Sequence, residues 1–157
     1  MKGKSVFITG GNAGIGMATA VAFAEQGCNV AIFGRRESEN EKVRALIQEK
    51  GVQCVAFQGD VTSREDVAMA VQGTVKAFGA LHFAFNNAGI EQLPTPLPEQ
   101  NDNDYLRIMD VNVKGVWLCM QQEAPLIQQA GGGCIVNTSS VIGHIGMAQI
   151  PLYIAAK

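Results

Sequence analysis

An apolar run, Lys4 to Ile8, leads without a break into Thr9-Gly10-Gly11-Asn12-Ala13-Gly14-Ile15-Gly16, and a helical pattern follows from Ala18 to Glu25. Strand, glycine-rich turn and helix in that order restrict the fold more than any other stretch. Glycines let backbone approach a ligand closely, and the free N–H groups and positive dipole end of the following helix suit a phosphate or diphosphate. Gly14 is placed for that close approach, and Gly16 for tight packing of helix on strand. Taken alone, the loop also fits a plain tight turn.

The pattern repeats down the chain. Asn29 to Phe33, Val52 to Phe57, Leu81 to Phe85 and Cys134 to Asn137 read as further strands. Ser38 with Glu41 reads as a capping box for a helix through Glu49, and Thr62 with Glu65 as another, opening a helix through Phe78 with Val67, Val71, Val75 and Phe78 at helical spacing. Alternating strands and helices imply α/β architecture: a doubly wound parallel sheet, the Rossmann type, with ligands at the carboxyl ends of the strands. Asp60-Val61, Asn86-Asn87-Ala88-Gly89 and Thr138-Ser139-Ser140 each follow a strand and so fall on that rim.

The second strand ends in Gly34-Arg35-Arg36, where dinucleotide folds that read the ribose hydroxyls of NAD carry an acid. The acid is absent. Arg35 and Arg36 are placed to meet a 2′-phosphate, which favours NADP over NAD; the alternative is a pair of solvated arginines ahead of a surface helix. Glu91 to Gln100, with Pro94, Pro96 and Pro98, reads as an irregular loop. Asp102 to Gln129 reads as helical, with Leu106, Met109, Val113, Val116, Trp117 and Met120 close together on a wheel and Pro125 expected to kink or break it. Asn112 inside that pattern is either a core hydrogen bonder or part of a site.

The chain stops at Tyr153-Ile154-Ala155-Ala156-Lys157. On a helix the phenol and the ammonium share a face. A cation about 5 Å from the phenol, at an effective dielectric near 20, favours the phenolate by roughly 3 kcal/mol. So short a helix is expected to hold Tyr153 and Lys157 weakly.

A length of 157 residues, 47% hydrophobic and 17% charged, fits one domain over residues 1–157. The net charge of -2 gives no reason to expect nucleic acid or an anionic membrane as partner. No stretch reads as a signal peptide or a membrane span. Cys28, Cys54, Cys119 and Cys134 are widely spaced without a C-x-x-C pair, as expected for reduced, mostly buried thiols in a cytoplasmic protein.

Thr9-Gly10-x-x-x-Gly14-Ile15-Gly16, Asp60-Val61, Asn86-Asn87-Ala88-Gly89, Asn112, Ser140 and Tyr153-x-x-x-Lys157, in that order, resemble the short-chain dehydrogenase/reductase family over the whole chain. The resemblance implies hydride transfer between NADP(H) or NAD(H) and a carbonyl or secondary alcohol, with no metal. It makes Tyr153 the general acid or base and Ser140 the hydroxyl that bonds the substrate oxygen. Lys157 binds the nicotinamide ribose and assists Tyr153, and Asn112 holds a relay water. The implied cofactor contacts are Gly10, Asn12, Gly14, Ile15, Gly16, Arg35, Arg36, Asp60, Val61, Asn86, Ala88 and Gly89, with Tyr153 and Lys157. Asp60 is assigned to the adenine and Asn86 to the adenosine side.

Ala13 stands where many NADP-preferring relatives carry a basic residue. Relatives also continue past the lysine, so the 157 residues are expected to be part of a longer functional polypeptide that forms a homodimer or homotetramer. A non-catalytic dinucleotide-binding regulator and an inactive fragment are the alternatives. His82 and His144 are read as structural.

Overall fold

Ser5–Thr9 (β1) is buried at every residue, as a strand must be when helices cover both faces of its sheet. The computed structural model describes residues 1–157. On either side of β1 lie Asn29–Gly34 (β2) and Phe83–Asn86 (β4); Cys54–Gln58 (β3) and Cys134–Asn137 (β5) form the edges. All neighbours pair in parallel, in the order β3-β2-β1-β4-β5. The chain builds outward from β1 to β3 and then returns to the other side of β1. A crevice therefore opens between the carboxyl ends of β1 and β4, where connections leave in opposite directions.

Alternation along β1 divides the core. Val6 and Ile8 face Ala20, Ala24, Val43 and Ile47 of helices Gly14–Glu25 (α1) and Glu37–Gln48 (α2). Phe7 faces the other way, into a cluster with Val67, Val71, Leu118, Cys119 and Ile127. Those residues lie on Arg64–Phe78 (α3) and Gly115–Gln129 (α5). Full burial of each such aliphatic or aromatic side chain is worth about 1.5–3 kcal/mol, enough to fix the strand's faces.

The strands fall within two residues of the expected bounds, while the caps differ. α2 starts at Glu37 after Arg36 with no side-chain cap, because Glu41 instead takes the Arg44 guanidinium at 2.8 Å. At α3 the cap is Ser63, whose hydroxyl accepts from the Asp66 N–H at 3.2 Å. Thr62 is diverted: both its N–H and its hydroxyl donate to Asp60 Oδ1 at 2.9 Å, closing an Asx turn.

The long helical stretch is in three parts. Asp102–Met109 (α4) and α5 are joined by a π-helical turn, Asp110–Lys114, in which the Gly115 N–H reaches Asp110 O. The extra residue shifts the helical phase. The buried residues are Ile108, Asn112, Gly115, Leu118, Cys119, Glu123 and Ile127, while Leu106, Val113 and Trp117 of the expected wheel face are exposed. α5 runs on through Pro125 to Gln129, so the proline does not end it. A 3₁₀ turn, Leu97–Glu99, interrupts the proline-rich loop, and Pro151–Ala156 (α6) closes the chain.

Candidate active site

The glycine turn is built as its residue types require. Gly10 has φ 63° and Gly14 φ 50°, left-handed values that side chains rarely adopt. A Cβ at Gly14 would meet nothing within 4 Å, so the backbone there borders open space. A Cβ at Gly16 would lie 2.3 Å from Gly10 O, so α1 packs against the turn with no room for a side chain. α1 also lacks a side-chain cap and any acid in its first turn, unlike α3 and α4. Its first N–H groups are left for an anion. Ile15, in that turn, is exposed.

A cleft continues from this turn along the strand ends. Gly10, Asn12, Arg35, Arg36, Asp60, Val61, Ala88 and Gly89 line it with Asn87 and Ile90. Arg35 and Arg36 are exposed, and neither guanidinium takes part in any of the five salt bridges. Asp60 is oriented by Thr62, and its own N–H donates to Asp66 Oδ2 at 2.9 Å.

Asn86 is placed elsewhere. Its side chain turns inward from β4, donating to Glu123 Oε2 at 2.9 Å and Asn137 Oδ1 at 3.0 Å, and is only 2% exposed. This side chain is thus spent inside the protein, while the following residue, Asn87, lines the cleft and bonds to the carbonyls of Thr9 and Gly10. The buried Thr9 hydroxyl accepts from the N–H groups of Asn87 and Ala88, both at 3.0 Å, which holds the turn after β4 against β1.

At the far end two of the catalytic candidates, Asn112 and Lys157, meet at Gly89. A Cβ on Gly89 would come within 2.9 Å of Asn112 Oδ1 and 3.3 Å of Lys157 Nζ, so both side chains flank this glycine. Asn112 clamps Ile90, accepting from its N–H at 3.0 Å and donating to its carbonyl at 2.9 Å. Its amide is thereby committed to the backbone. Lys157 Nζ donates to Thr138 O at 3.1 Å and lies 5.8 Å from the centre of the Tyr153 ring. Burial lowers the lysine below its ordinary pKa. Ser139 donates its hydroxyl to Lys157 O at 3.0 Å. The half-buried Ser140 hydroxyl accepts from the Ile142 N–H at 3.3 Å and retains its proton for another acceptor.

Nor is α6 weakly held, as its length suggested. Gln92 Oε1 accepts from the Tyr153 N–H at 3.0 Å, a helix cap supplied from the proline-rich loop, and Thr95 N–H donates to Gln149 O at 2.9 Å. With Ser139 and Thr138 at the other end, the helix is tied at both termini. The sequence reading missed Gln92, Asn40 and Glu123, and named Asn87 in the rim loop without giving it a role of its own. Asn40 and Glu123 carried a usable signal: Asn40 precedes the buried Val43 and Ile47 at helical spacing, and Glu123 lies midway between the buried Cys119 and Ile127.

The sequence pattern of the short chain dehydrogenase family matches residues 4–157. The chain belongs to that family. Among its curated relatives, cyclohexanol dehydrogenase of Acinetobacter sp. (strain SE19) is 40% identical over 154 residues, covering 98% of this chain and 61% of the relative. The 2,5-dichloro-2,5-cyclohexadiene-1,4-diol dehydrogenase of Sphingobium indicum (strain B90A) is 38% identical, covering 100% of this chain and 62% of its own. The chain thus spans about three-fifths of the length of these relatives. Crystal structures of NAD+-bound xylitol dehydrogenase and of levodione reductase superimpose with TM-scores of 0.95, at 33% and 30% identity; they cover 99% of this chain and 60% and 61% of their own. The xylitol dehydrogenase structure holds NAD+, and the open backbone at Gly14, the uncapped α1 and the lined cleft of this chain fit a dinucleotide.

Proposed function

We propose that the protein is an oxidoreductase that moves a hydride between a nicotinamide dinucleotide and a secondary alcohol or its ketone, with Tyr153 as general acid or base. The observation that carries this reading is the placement of Lys157 and Asn112 beside Gly89, in the same cleft that begins at the glycine turn, with Thr138 and Ser139 bonded to Lys157. When bound, the cofactor supplies or accepts the hydride at its nicotinamide ring.

The chain's own residues handle the proton and the charge. The N–H groups of the first turn of α1 hold the diphosphate beside Gly14. In the oxidative direction Tyr153 takes the alcohol proton as the hydride leaves carbon, and in the reductive direction it returns the proton to the carbonyl oxygen. Ser140 donates to that oxygen and stabilises its developing charge. Lys157 Nζ lies 5.8 Å from the centre of the Tyr153 ring, and its lowered pKa suits it to pass a proton onward. Asn112, whose amide also holds the Ile90 backbone, would hold the water that links Lys157 to solvent.

NADP is the preferred form, supported by the unpaired Arg35 and Arg36. Ala13 supplies no second cation. The two relatives named for alcohols on six-membered carbocycles support cyclic secondary alcohols as the first substrates to try. Exposed Leu106, Val113 and Trp117 fit a surface covered by a second copy in a homodimer or homotetramer. Three buried free thiols fit the reducing cytoplasm.

Cofactor absorbance during incubation with a panel of ketones and secondary alcohols, using NADPH, NADH and their oxidised forms, tests the proposal. Turnover of at least one pair is expected. Tight cofactor binding with no turnover on any of them would favour a non-catalytic binding module.

A further inference from the structure

Asn40 is 2% exposed on the sheet-facing side of α2 and donates through Nδ2 to two main-chain carbonyls, Gly34 O at 2.8 Å and Phe57 O at 3.1 Å. Carbonyl oxygens only accept, so the end of the Asn40 amide that faces them is its NH₂ group and the end that faces Asn12 is its oxygen. Asn12 must then present a donor to Asn40, and it does, with Nδ2 to Asn40 Oδ1 at 2.7 Å. The remaining atom, Asn12 Oδ1, has no partner within the chain, and it is not among the sealed, unpartnered side-chain oxygens. Asn12 lines the cleft beside Arg35 and Arg36, so this oxygen is open there. Gly34 leaves room for the amide pair, because a Cβ at that position would lie 2.6 Å from Asn12 Nδ2 and 3.0 Å from Asn40 Oδ1.

We infer that Asn40 is a positioning residue whose bonds to the ends of β2 and β3 lock the Asn12 amide with its acceptor oxygen toward the cleft, where it takes the proton of an adenosine ribose hydroxyl. The two arginines beside it offer only donors, which suit a phosphate or a lone pair. Asn12 supplies the complementary acceptor, and a freely rotating amide would not discriminate between the two. Hydroxyl recognition at the adenosine end thus depends on a buried side chain that touches no ligand. The inference rests on the reading of the cleft as a dinucleotide site.

Calorimetric titration with 5′-AMP and its 2′-deoxy and 3′-deoxy forms separates this role from a merely structural one. The parent protein is expected to prefer AMP over one deoxy form by about ten-fold, the worth of one hydrogen bond of ordinary strength. Asn40→Leu is expected to reduce that preference to about two-fold or less. Asn12→Ala removes the acceptor without orphaning the Gly34 and Phe57 carbonyls, and is expected to do the same even if Asn40→Leu fails to fold. An unchanged preference in Asn12→Ala, or a parent protein that binds all three nucleotides equally, overturns the inference and leaves the oxidoreductase reading standing. A parent protein that binds neither AMP nor NADH nor NADPH overturns both.

Discussion

Asn86 Nδ2 donates to Glu123 Oε2 at 2.9 Å, linking the last residue of β4 to the middle of α5 in a place with no access to water. It is the only bond the carboxyl makes: Glu123 Oε1 and Asn86 Oδ1 are both sealed and unpartnered. A protonated carboxyl would supply the donor that this pair lacks.

The first prediction concerns pH. Burial raises Glu123 from 4.5 to about 7, against the opposing pull of the Asn86 bond. The folded protein therefore holds this proton more tightly than the unfolded chain, so the associated stability is complete below about pH 4.5 and is lost as pH rises through about 7. The loss amounts to about 3 kcal/mol. Glu123→Gln should flatten that slope and raise the melting temperature at pH 8 relative to the parent. Parallel pH profiles of melting temperature for parent and variant would contradict the assignment.

Gly16→Ala places a methyl group 2.3 Å from Gly10 O, backbone against backbone. The turn must shift. A stability loss of about 1–3 kcal/mol is expected, with weaker dinucleotide binding in the same variant. Denaturant titration and a cofactor titration measure the two, and a variant with parental values of both would contradict the packing described.

Gln92 caps α6 from a distant loop, so Gln92→Leu should lower kcat and leave the cofactor Kd within about two-fold, since a lost cap is worth about 1 kcal/mol and lies away from the glycine turn. A rise in Kd with kcat unchanged would place Gln92 in cofactor binding instead.

Arg35→Asp should reverse or abolish the preference for NADP over NAD by about ten-fold or more, the worth of a charge-assisted hydrogen bond. Ratios of kcat/KM for the two cofactors measure it. An unchanged ratio would leave Arg35 a solvated surface residue.

The parts that were legible in the sequence share a physical cause. β1 and β2 were bounded closely because a fully buried parallel strand is a short apolar run flanked by turn residues, and the glycine turn was legible because left-handed backbone and contact distances select for glycine. The caps were not, because Thr62 and Glu41 had local competitors, Asp60 and Arg44, that spacing alone does not rank. The exposed face of α5 was misjudged because one extra residue in the Asp110–Lys114 turn rotates every later position. Asn86 and Asn87 are neighbours on a strand end, and which of them faces the cleft depends on how β4 seats on α5, through Glu123. The hold on α6 depends on Gln92, some sixty residues earlier, which no local pattern reveals.

The central claim is that Tyr153 carries the proton in hydride transfer at the Gly89 end of the cleft. The most direct measurement is the rate of nicotinamide oxidation or reduction by Tyr153→Phe on a substrate that the parent protein turns over, with the cofactor Kd measured alongside. The rate should fall by about 10²–10⁴-fold while Kd stays within about three-fold, because the phenol hydroxyl contributes to the transition state rather than to cofactor binding. A phenylalanine variant that turns over at close to the parental rate would contradict it.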